Sequence, residues 1–295
     1  KKNLFYSYLG LILLSAIWGS SFLFIKLSVK TINPTVLTFY RLLIASLFLL
    51  FFKVKIFENL KKNIKGILLI AILGNLLPFN LISWSELYVD SVVASSLIGT
   101  MPIFTFIISL MIFKDTKPSL FQTLGLIIGF CGMIIFIGLD FNSLKGDSFF
   151  FSLVILFSAL CYALSATCVK LIKGQTALEI ASTSTILATL FSFPVMVWFL
   201  VNSDKPILIY LKTISFESIV AATTLGILCT GVAIIIFFKL IQRKSAVFAS
   251  QSNYLIPCFG FLWSFIFLEE KLTINLFIGL IMIVFGGYLL NSKKS

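Results

Sequence analysis

Apolar residues along this chain come in long unbroken runs, not in the stripes or alternations of a water-soluble fold. Polar breaks separate ten of them, roughly 5–26, 34–52, 66–86, 91–113, 119–139, 148–170, 178–200, 216–239, 246–268 and 273–291. A helix needs about 20 apolar residues to cross the hydrocarbon of a bilayer, so each run predicts one membrane-spanning α-helix. Barrel strands would instead alternate in segments of about 10. The breaks are short, the longest being 53–65 and 201–215, and none has the composition of a soluble domain. The opening run, after "KKNLFYSYLG", exceeds a signal-peptide core and no cleavage-like site follows it, so a retained span is expected.

Composition points the same way. Hydrophobic residues make up 59% of the 295, charged residues 12%, and mean hydropathy is +1.10. Soluble domains are about 45–50% apolar and about 25% charged, so this chain cannot cover itself in water. The charge balance of +12 is organised by topology. With the N-terminus on one side, sixteen lysines and arginines fall on that side and six on the other, Arg41 lying inside a span. The positive-inside rule then predicts a multi-pass membrane protein with both termini cytoplasmic. Anionic lipid is the expected partner of those lysines, and no nucleic acid is needed to explain them.

The chain also repeats itself. "ASSLIGTMPIFTFIISLMIFKDT" (94–116) aligns with "ASQSNYLIPCFGFLWSFIFLEEK" (249–271), setting Ala94, Ser95, Pro102, Phe104, Phe106 and Ser109 against Ala249, Ser250, Pro257, Phe259, Phe261 and Ser264. Gly125 and Gly132 likewise meet Gly279 and Gly286. Upstream, "SAIWGSS" faces "SALCYALS" and Lys26 faces Lys170. Two halves of five spans follow, and an odd number per half inverts the second against the first, a recurring design of secondary transporters. The expected fold is an all-α membrane protein of ten transmembrane helices in two inverted five-helix repeats. Its single membrane domain divides into 1–139, a linker at 140–147, and 148–295.

With "AIWGSSFLFIKL" in the first span, Arg41 in the second, and "LIGTMPIF…FKDT" and "YLIPCFGF…LEEKLT" closing each half, the whole chain resembles the EamA-type members of the ten-helix drug/metabolite transporter superfamily. Two positions depart from the family pattern: Asp115 stands where Glu is usual, and Tyr162-Ala163 replaces a second Trp-Gly pair. The resemblance implies alternating access across a bacterial inner membrane for small organic solutes, often amino acids and related metabolites; a monomer or homodimer without a cofactor is expected. Amino acids or related zwitterions are the expected substrates. A cationic or nucleotide-like metabolite, for example an adenosylated amino-acid derivative, is the alternative.

The cost of burying polar groups in lipid singles out candidate pathway residues. Ser91, Ser95, Ile98, Pro102, Thr105 and Ser109 share one helix face, and their counterparts include Ser250, Asn253 and Pro257. A proline frees a backbone carbonyl and kinks its helix. Pro102 and Pro257 are therefore expected kinks beside a wet cavity; close packing of small residues is the competing reading. Amides facing lipid are costly, which selects Asn75, Asn80, Gln251 and Asn253 as inward-facing. Trp18, Trp84, Tyr162 and Tyr254 would supply aromatic faces, with Ser21, Ser95 and Ser165 as hydroxyls, although Trp84 also fits an interfacial belt. Arginine near the bilayer centre costs about 2.5–3.5 kcal/mol. Arg41 therefore either snorkels outward or meets an anionic substrate group. Glu86 is the candidate coupling acid, whereas Lys26 and Lys170 read as interfacial anchors and Asp115 and Glu270 as structural acids at helix starts.

Gly125, Gly129, Gly132, Gly279 and Gly286 read as helix-packing positions. Five scattered cysteines without a CxxC, and no histidine, suggest neither disulfide nor metal site. An intramembrane enzyme would need an acid–base or metal constellation, and a channel a continuous polar pore or filter. Neither pattern is visible.

Overall fold

The computed structural model describes residues 2–112, 119–137, 147–203, 206–268 and 274–291, and among these there are helices and no strand. Six helical runs are long and apolar enough to cross a membrane: Leu4–Val29, Ile64–Ser85, Val93–Ile112, Ser148–Leu171, Ala177–Val201 and Phe216–Arg243. Shorter apolar helices cover Pro34–Leu50, Leu120–Phe136 and Phe277–Leu290. Large apolar side chains such as Leu13, Phe193, Trp198 and Ile281 are exposed on the outside, as expected where the solvent is lipid rather than water.

Local chemistry sets several helix starts. Helix α1 (Lys2–Val29) ends in a tight turn. Helix α2 (Pro34–Leu50) then begins where Asn33 Oδ1 accepts from the Thr35 N–H at 2.9 Å and Pro34 fills the first turn, needing no donor. The expected loop 53–65 instead holds a short helix, α3 (Ile56–Lys62), whose Phe57 is exposed. The third span is α4 (Ile64–Leu69), a π-helical turn π1 (Ile70–Leu76) and α5 (Leu77–Ser85). Pro78 has no N–H, so the regular ladder cannot close through it.

The fourth run is interrupted at Gly99–Thr100, between α6 (Ser91–Ile98) and α7 (Met101–Ile112). Pro102 therefore sits in the first turn of a new helix rather than at the bend itself. After α8 (Leu120–Ile137) and α9 (Asp147–Leu171) comes α10 (Ala177–Val201). It starts with a reciprocal cap: the Thr176 N–H donates to Glu179 Oε2 at 2.6 Å, and the Glu179 N–H to Thr176 Oγ1 at 3.3 Å. The segment 201–215, expected as a loop, contains α11 (Ile207–Thr213).

The eighth run repeats the plan of the third, with α12 (Phe216–Thr224), a second π-helical turn π2 (Leu225–Val232) and α13 (Ala233–Arg243). The ninth breaks at Gln251, between α14 (Ala246–Ser250) and α15 (Ser252–Leu268), and Pro257 lies within α15. Helix α16 (Ile274–Asn291) is the last described element.

Helices α8 and α16 approach at backbone distance. A Cβ built on Gly125 would stand 2.6 Å from the Gly286 carbonyl oxygen, and one on Gly132 2.6 Å from Met282 Cβ. Gly19 plays the same part between α1 and α15, where a Cβ would meet Phe259 Cβ at 2.8 Å. Without a hydrophobic force between helices in lipid, such small-residue seams supply the attraction through close van der Waals contact.

Candidate functional site

The breaks and π turns converge on a central cavity. The inner faces of α1, α2, α5, α6, α7, α9, α13 and α15 and both π turns line it. Of the sequence-selected residues, Trp18, Ser21, Arg41, Asn75, Tyr162, Ser165 and Asn253 come together there.

Arg41 is 5% exposed and lies among this lining. Its Nε donates to Thr230 Oγ1 at 2.6 Å, and its guanidinium carbon sits 3.8 Å over the Phe79 ring. Among the described residues the ion pair within 4.0 Å is Lys55–Glu58, so no carboxylate neutralises Arg41 at that range. The ring face attracts the cation, an effect worth about 0.5–2 kcal/mol, well short of its desolvation.

The π turns explain how backbone and side chains meet here. A π turn shifts the hydrogen-bond ladder by one residue and releases a carbonyl, a distortion common at functional sites. In π2, Trp18 Nε1 donates to the Cys229 carbonyl at 3.2 Å, while the indole tilts against Phe237 with centroids 5.0 Å apart. In π1, Gly74 leaves room for Ser165, whose Oγ a Cβ would strike. Asn75 lines the cavity wholly buried, and neither its Oδ1 nor its Nδ2 has a hydrogen-bond partner. Asn253 is better satisfied, its Nδ2 donating to Ser250 O at 2.9 Å and lying 3.2 Å from Met101 Sδ.

Other selected residues sit elsewhere among the described residues. Asn80 turns its Nδ2 back to Leu76 O at 3.0 Å. Trp84 is 47% exposed, edge-on to Phe151, as an interfacial residue would be. Ser95 is buried outside the lining, and Tyr254 packs against Gly129 with its hydroxyl donating to Leu126 O at 3.2 Å. Pro102 and Pro257 stand beside lining residues Met101 and Ile256 without contributing to the lining themselves. Glu86 is fully buried at the end of α5, accepting from Ser91 Oγ at Oε2 over 3.0 Å, with Oε1 unpartnered. Asp115 and Glu270 lie outside the described residues.

The sequence marks Asn75 together with Asn80 as an inward-facing amide, but it does not mark Phe79, Cys229 or Thr230 as pathway residues. An amide next to Gly and three residues before Pro was the available signal for Asn75. Thr230 carried none, being one hydroxyl in an apolar run.

The comparisons agree with this multi-pass architecture. The model of the EamA-like transporter family matches the chain twice, over residues 5–138 and 150–292. The uncharacterized transporter YoaV of Bacillus subtilis is 24% identical over 284 residues, covering 95% of each chain. Protein PagO of Salmonella typhimurium is 27% identical over 252 residues, covering 83% of this chain and 79% of its own. A solved crystal structure shares the fold with a TM-score of 0.71 at 13% identity over 97% of each chain. Matched across nearly its whole length, once in each half, the chain belongs to the EamA-like transporter family.

Proposed function

We propose that the protein is a secondary transporter of ten spans in two inverted repeats, moving carboxylate-bearing small metabolites, amino acids or related zwitterions foremost, by alternating access. One observation carries this reading: Arg41 is buried against the cavity, and among the described residues no carboxylate lies within 4.0 Å of it. A buried, unpaired charge is expensive, and an incoming anion is the natural counter-charge. An arginine fork takes a carboxylate through two parallel hydrogen bonds, a geometry lysine cannot reproduce. Trp18, Phe79 and Phe237 then offer faces to the rest of the solute, and Asn75 an unspent donor and acceptor. The doubled family match supports the repeat.

A cation carrier is the second reading, favoured by the unpartnered Oε1 of Glu86. The two separate by experiment. Purified protein is screened for thermal stabilisation by amino acids, their decarboxylated amines and nucleoside-bearing solutes, since a ligand stabilises as its concentration exceeds its Kd. Stabilisation by carboxylates that Arg41→Lys weakens and Glu86→Gln spares supports the first reading. Stabilisation by amines that Glu86→Gln abolishes replaces it with the second.

A further inference from the structure

Two lysines outside the cavity make matching contacts at opposite ends of the molecule. Lys26, in the last turn of α1, donates from Nζ to the Glu86 carbonyl at 3.2 Å, at the C-terminal cap of α5. Lys170, in the last turn of α9, donates from Nζ to the carbonyls of Ile241 and Gln242 at 3.2 Å each and of Lys244 at 2.9 Å, over the end of α13.

The two contacts correspond in the repeat. Lys26 aligns with Lys170, and the register that sets Ala94 against Ala249 sets Glu86 against Ile241. The same register sets Asn75 against Thr230, each the sixth residue of its π turn. In each half, then, a lysine of the first span holds the C-terminal carbonyls of the third.

They also lie far apart. Leu27, next to Lys26, accepts from Ser218 Oγ at 2.8 Å at the start of the helical run Phe216–Arg243, and Lys170 holds the end of that run. At 1.5 Å per residue the separation along it is about 35 Å, the thickness of a bilayer.

We propose that Lys26 and Lys170 are the latches of two gates on opposite membrane faces, and that transport breaks them one at a time. This rests on the alternating-access reading above. The last carbonyls of a helix have no intrahelical partner and carry the negative end of its dipole, so a cation there binds firmly yet reversibly. To open a face, the first span of one half must leave the third, which means pulling the ammonium off those carbonyls. The Lys170 gate holds three carbonyls and the Lys26 gate one. Beside the former, Gln242 Nε2 donates to Gln175 O at 2.9 Å and Gln175 Nε2 to Asn59 O at 2.8 Å.

The test uses Cys229, a cavity residue midway along Phe216–Arg243, as the single cysteine in otherwise cysteine-free protein in vesicles of one orientation. Membrane-impermeant maleimide is applied from each face. Lys170→Met is expected to raise labelling several-fold from the Lys170 face, Lys26→Met to raise it from the opposite face, and Lys170→Arg to restore the original pattern. Size-exclusion elution checks folding. If Lys170→Met does not fold, Lys26→Met, which removes one bond, decides the matter through its own face. Equal labelling from both faces by wild type, with no change on adding a stabilising solute, would remove alternating access itself. Solute-dependent switching in wild type that folded latch variants leave unaltered would remove the latches alone.

Discussion

Arg41 Nε and Thr230 Oγ1 lie 2.6 Å apart, and the Thr230 hydroxyl itself donates to Leu225 O at 2.9 Å. The hydroxyl has one proton, and π2 takes it. Its lone pair is thereby turned toward Arg41, so a helix irregularity on one span orients the cation of another. Thr230→Val keeps the shape and deletes the acceptor. The variant is expected to insert and fold but to bind carboxylate solutes about tenfold more weakly, equivalent to about 1.4 kcal/mol. Thr230→Ser should bind as wild type. Competition binding with a radiolabelled carboxylate solute measures both.

Asn75 buries an amide with both ends unpaired, a situation that costs about 1–3 kcal/mol. Asn75→Leu, of similar volume, is therefore expected to raise the Tm of ligand-free protein while shrinking the shift that substrate produces. A lower Tm with an unchanged ligand shift would mean that the amide has structural partners and no ligand.

The α8–α16 seam has no room for side chains. Gly132→Leu would drive its Cβ toward Met282 Cβ and the Gly279 carbonyl, at 2.6 and 2.9 Å. Overpacking of this kind costs about 1–3 kcal/mol or more, and a lower thermal midpoint in detergent is expected. Gly260→Ala is the control, since a Cβ there meets nothing nearer than Gly19 O at 3.8 Å.

Glu86→Gln preserves an acceptor for Ser91 but removes the titrating group. If Glu86 exchanges a proton during the cycle, uptake by wild type varies with pH and the variant's profile is flat. Matching profiles in the two proteins would assign Glu86 to structure.

Single cysteines placed in 53–65 and in 201–215 are expected to label from opposite membrane faces, the former from the cytoplasm. Labelling of both from one face would break the inverted topology.

The apolar runs were legible in the sequence because hydropathy is local: a run of about twenty apolar residues has one stable solution in lipid, a helix with every backbone group paired. The duplication was legible for a related reason, since Ala94, Pro102 and Gly125 meet identical residues in the second half. The inward direction of a span is a different matter. A helix apolar on every side does not declare its face, so Asn75 and Asn80 were equal candidates until the π turn rotated one toward the cavity and left the other bonded to Leu76. Tyr254, read as lining, went to the α8 interface because Gly129 leaves a slot there for its ring. Lys26 and Lys170 had the composition of interfacial anchors. Their carbonyl partners are 60 and about 71–74 residues away in the chain, and only folding brings a helix end within reach of an ammonium. Composition and period determined that the chain crosses the membrane many times and repeats itself. Contacts between spans decided which of its few polar atoms meet one another, because in lipid each must find its partner on another helix or in its own backbone.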